Sequence, residues 1–394
     1  MNEEKKTRFF YKDGVRYLYL TGYGSLSRHY LYGLLTHKDL DIFIQGSGIQ
    51  FEDIEDYLVL SMARVPRHIN QKEWDLTFHV MPPGDLTPLP GINFCYTQNA
   101  LSKLKPDWLT VLKKMDLVIV PSNYDREVFM REGLENIEIV PQASDSGFYA
   151  PVETPPMNPF IFLNVGTFNF RKGQDILMKA FKLAFGDDPA VRLYFKTGRG
   201  EFSKYFRKMI IENGLNGNNI ILDEKLTGPT GMRELYHKAH CLVTPSRGEG
   251  WALPNTEAMC CGLPVVSTKA TAMLDYMTEE NSFPLEAVPV KIGNHPIDWF
   301  SANWLNGYSD IPQGDVYEIN PAKLAETMTY IYKNYEEARK KGMQAQKDMI
   351  EKWTWNQATE KLYEVIMRHY KLLTGEKRGI IIPENKNIPP LQYK

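Results

Sequence analysis

Both halves of the chain open with the same order of elements: an apolar strand, a loop that carries glycine, and a helix. In the first half, Arg16–Thr21 predicts the strand, Gly22-Tyr23-Gly24-Ser25 the loop and Leu26–Leu35 the helix. The second half repeats this order at Phe160–Gly166, Phe168–Gly173 and Gln174–Phe185. Because doubly wound α/β folds begin with such a unit, the repeat predicts two domains of that type.

Apolar strands alternate with helical stretches along the rest of the chain. Further strands are predicted at Asp41–Gln45, Asp116–Val120, Arg192–Phe195, Ile220–Leu222, Cys241–Thr244 and Pro264–Ser267. The chain has 394 residues, more than one hydrophobic core usually serves. The break between domains is expected in Ala150–Pro159, which is rich in proline and has no periodicity. We therefore predict the α/β class, with two doubly wound, Rossmann-like domains.

Composition is that of an ordinary globular protein, with 43% hydrophobic and 24% charged residues. No apolar run approaches the roughly 20 residues of a membrane span, and the N-terminus has no signal-type segment. The cysteines are Cys95, Cys241, Cys260 and Cys261, and their spacing fits neither a disulfide framework nor a zinc site. We expect a soluble, cytoplasmic protein without a membrane span.

Two glutamates, Glu249 and Glu257, lie in the segment that says most about function. Pro254 suits the first turn of a helix and Gly262 the residue just past its end, so a short helix is predicted from about Pro254 to Cys261. Glu249 then lies in the loop before this helix and Glu257 lies within it. The two carboxylates are expected to contact different ends of one ligand.

The start of this helix predicts what the ligand is. The amides of Trp251–Asn255 are expected to lack intrahelical partners, and the positive end of the helix dipole favours an anion such as phosphate. A nucleotide sugar has a diphosphate with hydroxyl groups on both sides, which suits one carboxylate at each end. The alternative is a surface loop and a solvated Glu257, since solvated charge is the default.

The segment from Glu249 to Glu257 resembles the signature of the retaining GT-B glycosyltransferases of the family 4 type. Phe160–Gln174 is similar to the opening strand and Lys-Gly loop of their donor domain, and Leu117–Pro151 to the end of the acceptor domain and the linker. The resemblance implies two domains that face each other across a cleft. These are an acceptor-binding domain at 1–152, a donor-binding domain at 153–354 and a helix at about 355–374 that returns to the first domain. The tail at 375–394 has no motif that we can interpret.

The resemblance also implies site residues. Lys172 and Arg171 are expected to contact the diphosphate, Arg as a fork and Lys as a point charge, although a solvated basic loop is the alternative. The family usually has an arginine where this chain has Thr167, and we expect Arg171 to take over that contact. The expected donor-binding residues are Glu257, Gly24, Ser25, Gly166, Thr167, Gly250, Trp251, Ala252 and Leu253.

His79 is a candidate on the acceptor side, because it ends a predicted strand, but a structural histidine is an equal alternative. The family often has a histidine after a later strand, and the matching stretch Ile92–Thr97 has Cys95 instead.

Three other motifs are given structural interpretations. Asp39-Leu40-Asp41 has the spacing of metal-dependent glycosyltransferases of another fold, but it is more simply a solvated strand entry. His237 and His240 have no further ligand to complete a metal site. Leu101–Met115 predicts an amphipathic helix with one core face, rather than a helix on a membrane surface.

Together these features predict a retaining hexosyltransferase that uses a nucleotide sugar of the UDP-glucose or GDP-mannose type and requires no metal or cofactor. Glu249 would hold the sugar hydroxyls and Glu257 the ribose. A saccharide hydroxyl is the favoured acceptor; hydroxymethylated pyrimidine in DNA is an alternative. Nucleic acid is disfavoured by a net charge of −2 and an acidic excess in residues 1–155. A non-catalytic nucleotide-sugar-binding subunit is a further alternative. A nicotinamide-dependent oxidoreductase would use Gly22-Tyr23-Gly24, which lacks the third glycine.

Overall fold

The computed structural model describes residues 6–12, 22–44, 74–151, 153, 155–198, 203–215, 217–225, 227–292 and 314–375. These residues divide into two compact units. The first unit contains the described residues of 1–99, 104–143 and 353–392, and the second contains those of 100–103 and 144–352. The chain passes from the first unit to the second between Ala143 and Ser144, before the proline-rich segment.

The first unit is built on a parallel sheet of six strands in the order β2-β1-β3-β4-β5-β6. The strands are β1 (Thr7–Lys12), β2 (Leu40–Ile44), β3 (Leu76–Val80), β4 (Ile92–Tyr96), β5 (Leu117–Val120) and β6 (Ile137–Ile139). Its helices are α1 (Gly22–Leu34), α2 (Pro106–Leu112), α3 (Asn123–Arg131) and, from the end of the chain, α10 (Trp355–Thr374).

The second unit has its own parallel sheet of six strands in the order β12-β11-β10-β7-β8-β9. The strands are β7 (Phe160–Val165), β8 (Val191–Lys196), β9 (Ile220–Asp223), β10 (Cys241–Thr244), β11 (Val265–Thr268) and β12 (Phe283–Leu285). The same unit also has a separate antiparallel pair, β13 (Ala287–Lys291) and β14 (Asp315–Ile319). The helices are α4 (Gln174–Ala184), α5 (Ser203–Glu212), α6 (Pro229–Lys238), α7 (Leu253–Cys260), α8 (Pro321–Lys333) and α9 (Tyr335–Lys352).

The strand order of the second sheet is that of a doubly wound dinucleotide-binding fold. Counted from β7 as the first strand, the order is 3-2-1-4-5-6, so the direction of winding reverses between β7 and β10. The central strands are buried apolar runs, as expected for parallel strands covered by helices on both faces. This topology brings the carboxyl ends of β7 and β10 together.

Helix α10 belongs to the first unit. It begins with a capping box, in which the Thr354 hydroxyl accepts from the Gln357 amide and the Gln357 side chain accepts from the Thr354 amide. Its apolar face, with Leu362 and Ile366, is buried in the core that includes the strands of the first sheet. Arg368 adds an ion pair with Glu138 of β6 at 2.6 Å.

The predicted α/β class with two doubly wound units is confirmed. Within the second unit, predicted and observed strand ends agree to within one residue. Arg16–Thr21 and most of the tail lie outside the described residues. Two predictions were wrong. Gly22–Ser25 is the first turn of α1 and not a loop, and the helix predicted at Leu101–Met115 is limited to Pro106–Leu112, where Pro106 occupies the first turn.

Candidate active site

The carboxyl ends of β7 and β10 lie side by side at the switch point of the second sheet. Ligands of open α/β sheets bind at such a point, outside the carboxyl ends of the strands. A 3₁₀ turn, Phe170–Lys172, follows β7, and the Asn169 side chain caps it by accepting from the Lys172 amide at 3.2 Å. The segment from Pro245 to Ala252 follows β10 and leads into α7. Both segments were predicted to carry the site.

The Glu249 carboxylate is the centre of this site. Arg171 Nη1 lies 2.8 Å from Glu249 Oε2, and Lys172 Nζ lies 2.7 Å from Oε1. The Ser246 hydroxyl also donates to Oε1, at 2.7 Å. The structure therefore brings the three predicted residues together, and it adds Ser246, which the sequence analysis did not single out.

The charges in this cluster are buried but not sealed from solvent. The side chains of Arg171, Lys172 and Glu249 are 19%, 16% and 9% exposed. Burial alone would raise the pKa of Glu249, but Arg171 and Lys172 outweigh it and hold that pKa at about 2. Burial lowers the pKa of Lys172, and Glu249 opposes that effect. Two cations thus face one carboxylate, which leaves a positive charge for an anionic ligand.

The two loops are fastened to each other through the backbone. The Arg247 amide donates to Arg171 O at 2.7 Å, and the Ser246 hydroxyl lies 3.1 Å from the same oxygen. Gly173 makes this approach possible, because its φ is +69° and a Cβ there would lie 2.0 Å from Pro245 O. The position of the cationic turn is therefore set by the segment that carries Glu249.

Arg247 anchors the segment that carries Glu249 to neighbouring elements, a role that was not predicted from the sequence. Its guanidinium forms a bidentate pair with Asp175 at 2.8 and 2.7 Å, and Nε lies 2.6 Å from Glu318 Oε1. It also donates to Phe170 O at 2.5 Å and lies over the Phe170 ring at 3.8 Å. Because Arg247 is 2% exposed, these contacts replace its solvent shell. Arg247 therefore joins the 3₁₀ turn, α4 and β14 to the segment that carries Glu249.

The start of α7 partly differs from the prediction. The Glu249 amide donates to Thr271 Oγ1 at 3.2 Å and the Asn255 amide to Ala252 O at 2.9 Å, so the structure uses these two amides internally. Ala252, the residue before the helix, has φ 71° and ψ 65°, a conformation that glycine normally adopts. The Trp251 side chain is buried, and its carbonyl accepts from the Tyr276 hydroxyl at 2.8 Å.

Glu257 lies in α7, as predicted, and is partly buried. The Tyr236 hydroxyl donates to Glu257 Oε2 at 2.7 Å, and the Tyr149 phenol also acts on this carboxyl group. Burial raises the pKa of Glu257 to about 7, although both phenols act to lower it. Glu249 and Glu257 therefore differ in surroundings: cations lower the pKa of Glu249, whereas burial raises that of Glu257.

A small recess lies among these elements. It is lined by Asn164, Val165, Lys172, Thr244, Ser246, Glu249, Ala252, Pro254 and Asn255. Its polar wall is ordered: the Thr244 hydroxyl donates to Asn255 Oδ1 at 2.7 Å, and Asn255 Nδ2 donates to Ser267 Oγ at 3.2 Å. Asn164 Nδ2 donates to Val243 O, whereas its buried Oδ1 has no partner among the described residues.

The other predicted donor contacts of the second unit lie near this recess. Gly166 directly follows β7 and lies beside Lys172, since a Cβ on it would be 3.3 Å from Lys172 Cδ. Thr167 is exposed, and its carbonyl accepts from Gln174 Nε2 at 3.2 Å. Gly250 lies in the segment that joins Glu249 to α7, and Leu253 is the first residue of that helix.

Three predicted residues belong to the first unit. His79 is fully buried in β3, where Nε2 bonds to Asn93 Oδ1 at 3.0 Å and burial lowers its pKa to about 4. This environment favours the structural interpretation of His79. Gly24 and Ser25 lie in the first turn of α1, and Ser25 O bonds to His29 Nδ1 at 2.7 Å. Cys95 is buried in β4, which raises the pKa of its thiol.

Asp39, His237 and His240, which were interpreted as structural residues, bond to neighbouring groups of the protein. The Asp39 carboxylate accepts from the Tyr363 hydroxyl of α10. His237 bonds to Ala150 O at 2.9 Å, and His240 accepts from the Ile161 amide at 3.0 Å. No group of three or more His, Cys, Asp or Glu side chains suited to a metal ion occurs among the described residues. Within the same ranges, no helix has the length and apolar character needed to cross a bilayer.

Comparison with known proteins points to one family. Residues 146–284 match the sequence profile of the glycosyl transferases group 1. A segment of 170 residues is 29% identical to the uncharacterized glycosyltransferase MJ1059 of Methanocaldococcus jannaschii, and it covers 40% of this chain and 40% of that relative. The chain thus matches well under half the length of this curated relative.

Solved structures share the fold at low sequence identity. The sucrose-phosphate synthase of Thermosynechococcus elongatus has a TM-score of 0.68 and 15% identity, with 94% of this chain and 100% of that chain covered. Anabaena Alr3699/HepE, solved in complex with UDP and glucose, has a TM-score of 0.65 and 14% identity, with 92% and 100% covered.

Proposed function

We propose that this chain, in which residues 146–284 form a domain of the glycosyl transferases group 1, transfers a hexose from a nucleotide sugar to a hydroxyl group with retention at the anomeric carbon. One observation carries the proposal: the buried Glu249 carboxylate bound by Arg171, Lys172 and Ser246 at the switch point of the second sheet. Both cations are partly open to solvent, so an anionic ligand can reach them.

The cations suit the diphosphate of the donor. Arg171 can contact two phosphate oxygens at once, and Lys172 supplies a point charge. Both are already held in place by backbone and carboxylate contacts, so little ordering is needed when an anion arrives. The backbone amides of Gly250–Leu253 at the start of α7 would add donors, with Gly166 and Thr167 as further contacts.

The two glutamates receive different roles. Glu249 is ionised, lies beside the cations and would accept hydrogen bonds from the sugar hydroxyls. Glu257 lies about one turn into α7 and would accept from the ribose hydroxyls. His79 has no role in this proposal, because it is buried and bonded to Asn93. Gly24 and Ser25 stay predicted donor contacts.

In the transfer, the bond between the anomeric carbon and the phosphate oxygen breaks, and its electron pair leaves with the nucleoside diphosphate. Arg171 and Lys172 stabilise the charge that develops there, so the step as proposed needs no metal. The acceptor oxygen bonds to the anomeric carbon from the same face, and its proton passes to an oxygen of the departing phosphate. Glu249 is a binding group in this scheme and forms no covalent bond.

For the donor we propose a uridine diphosphate hexose, with GDP-mannose as the alternative. The support is that HepE was solved with UDP and glucose, and S. aureus TarM with UDP. For the acceptor we propose a saccharide hydroxyl, because the chain as a whole is slightly acidic, with a net charge of −2.

The test incubates the protein with UDP-glucose, UDP-N-acetylglucosamine and GDP-mannose, with and without saccharide acceptors, with and without EDTA. Mass spectrometry detects released nucleotide and product, and proton NMR reads the anomeric configuration. Lys172→Ala should abolish transfer, whereas Lys208→Ala, which removes an exposed helix pair with Glu212, should not. Nucleotide binding without any sugar release would support the non-catalytic alternative. Inversion, or loss of activity in EDTA, would contradict the mechanism.

A further inference from the structure

Phenol groups from two separate parts of the second unit act on the Glu257 carboxylate. Tyr236 lies near the end of α6, and its hydroxyl donates to Glu257 Oε2 at 2.7 Å. Tyr149 precedes β7, and its phenol favours the ionised form of the same carboxyl group. The two tyrosines are 1% and 7% exposed, so water cannot easily replace Glu257 as their acceptor. Neither tyrosine was identified as functional from the sequence.

The segment that carries Tyr149 is clamped against one face of α6. Arg233 lies over the Phe148 ring at 4.4 Å, the rings of Tyr149 and Tyr236 meet edge to face at 5.9 Å, and His237 bonds to Ala150 O at 2.9 Å. Arg233, Tyr236 and His237 are three and four positions apart, which places them on the same side of the helix. The histidine considered above as a metal ligand is thus part of this clamp.

A turn that begins at Asp145 orders the backbone of Tyr149. Asp145 Oδ1 accepts from the amides of Gly147 and Phe148 at 3.1 and 3.0 Å, and the Tyr149 amide donates to Asp145 O at 2.8 Å. These local bonds order the backbone up to Tyr149. Two independently anchored phenols therefore act on one carboxylate, which lies on the helix that starts at the Glu249 site.

We propose that Tyr149 and Tyr236 are positioning residues for nucleotide binding, which hold the Glu257 carboxylate in one orientation so that its remaining acceptor sites face ligand hydroxyl groups. The proposal rests on the proposed function, in which Glu257 binds ribose. A carboxylate fixed by two donors selects a ligand that brings further donors, such as a vicinal diol, and disfavours phosphate or carbonyl groups at that point.

The ionisation of Glu257 follows from the same contacts. Burial raises its pKa to about 7, and the phenols of α6 and of the segment before β7 work against that effect. On its own helix, burial raises the pKa of Cys260 and of Cys261, so both thiols stay neutral; Arg233 is the cation of α6 that acts on Cys261. Protonation would remove an acceptor from Glu257. Affinity for a diol should therefore increase as the pH rises through about 7, and loss of a phenol should move the midpoint to higher pH.

The experiment measures the affinity of UDP, and of GDP in parallel, by calorimetry from pH 6 to 9. The variants are Tyr236→Phe, Tyr149→Phe, Glu257→Gln and the double variant Tyr236→Phe/Glu257→Gln. Tyr330→Phe is the matched control, because it removes a phenol-to-carboxylate bond of 2.7 Å, to Glu337, on the surface of the same unit. Subtracting the Glu257→Gln curve removes the titration of the ligand's own phosphate.

Each tyrosine variant should weaken the tighter nucleotide about 5- to 10-fold at pH 8. In the Glu257→Gln background, Tyr236→Phe should change affinity less than about twofold, because it acts through a carboxylate that is gone. With 2′,3′-dideoxy-UDP as the ligand, the effect of Tyr236→Phe should also vanish. Tyr330→Phe should bind as the unchanged protein does.

Two failures can be told apart. If Glu257→Gln weakens UDP binding but Tyr236→Phe and Tyr149→Phe, folded by circular dichroism, do not shift affinity or its pH midpoint, the positioning role is wrong and the proposed function stands. If Glu257→Gln leaves binding of UDP and GDP unchanged, the assignment of ribose to Glu257 is wrong. An equal effect of Tyr236→Phe with and without Glu257 would also overturn the positioning role.

Discussion

Replacing Glu249 with glutamine keeps the shape of the side chain and removes its charge from a site that contains Arg171 and Lys172. The pKa of Glu249 is lowered from 4.5 to about 2, against the effect of burial, because the two cations favour the ionised form. One unit of pKa corresponds to about 1.4 kcal/mol, so ionised Glu249 contributes about 3 kcal/mol to the free energy of unfolding at pH 7. With a side chain that is 9% exposed, little of this is lost to solvent screening.

The sign of the pH dependence follows from the direction of the shift. A carboxyl group whose pKa is lower in the folded state stabilises the fold above its unfolded pKa, and that contribution is lost as the pH falls through the folded value. The difference between the unchanged protein and Glu249→Gln should therefore be about 3 kcal/mol at pH 7 and about 2 kcal/mol at pH 3.5. Under the proposed function, sugar transfer should fall as well, chiefly in turnover, because Glu249 would lie beside the group where charge develops.

The assay is urea unfolding at both pH values, followed by a probe of the second unit such as Trp251 fluorescence, with Glu326→Gln as the control. Glu326 forms an ion pair with Lys323 at the same 2.7 Å distance as that between Lys172 and Glu249, but both side chains are about two thirds exposed. That control should change the free energy of unfolding by less than about 1 kcal/mol. The reasoning is refuted if Glu249→Gln is no more destabilising than the control, or if its effect is the same at pH 3.5 and pH 7.

Three further substitutions test the surroundings of Glu249. Gly173→Ala should destabilise the protein by at least ~2 kcal/mol and abolish transfer, because the new Cβ clashes with Pro245 O. The control is Gly214→Ala, which has φ +61° and open space around the new Cβ and therefore measures the backbone cost alone. Equal melting temperatures of the two variants would contradict the clash. Arg247→Met should lower the free energy of unfolding by about 3–5 kcal/mol, since Asp175 and Glu318 lose their partner. The control Arg368→Met removes a half-exposed ion pair and should lower it by less than about 1 kcal/mol. Ala252→Gly should raise the free energy of unfolding by roughly 0.5–1 kcal/mol, because glycine adopts φ 71° without strain; a decrease would show that the conformation is not strained.

Local sequence patterns predicted the second unit well. Strands such as Cys241–Thr244 are short apolar runs bounded by polar or proline residues, and both ends were predicted correctly. The helix of Glu257 was predicted from Pro254, and it begins one residue earlier, at Leu253. Proline and glycine mark these limits through the backbone alone, so no knowledge of tertiary contacts is needed.

Residues that act through distant partners could not be found in this way. Arg247 is paired with Asp175 and Glu318, which are 72 and 71 positions away in the chain, and nothing local separates it from a solvated arginine. The same holds for Tyr149, whose contact with Glu257 requires α6 and α7 to be in place. The loop predicted at Gly22–Ser25 failed for another reason: glycine is common in turns, but α1 tolerates it in its first turn.

The backbone around Glu249 shows how the site is kept in place. Among the described residues, Ala252 and Thr271 are the non-glycine residues with positive φ, at 71° and 56°. Ala252 immediately precedes α7, and the Thr271 hydroxyl accepts from the Glu249 amide. Each such conformation costs on the order of 1 kcal/mol and persists only where surrounding contacts hold it. Here the Asn255 amide donates to Ala252 O and the Ala272 amide to Glu249 O, while Ser246, Arg171 and Lys172 bind the Glu249 carboxylate. The rigid frame therefore holds the carboxylate and both cations in place before a ligand binds, as electrostatic stabilisation of a leaving diphosphate requires.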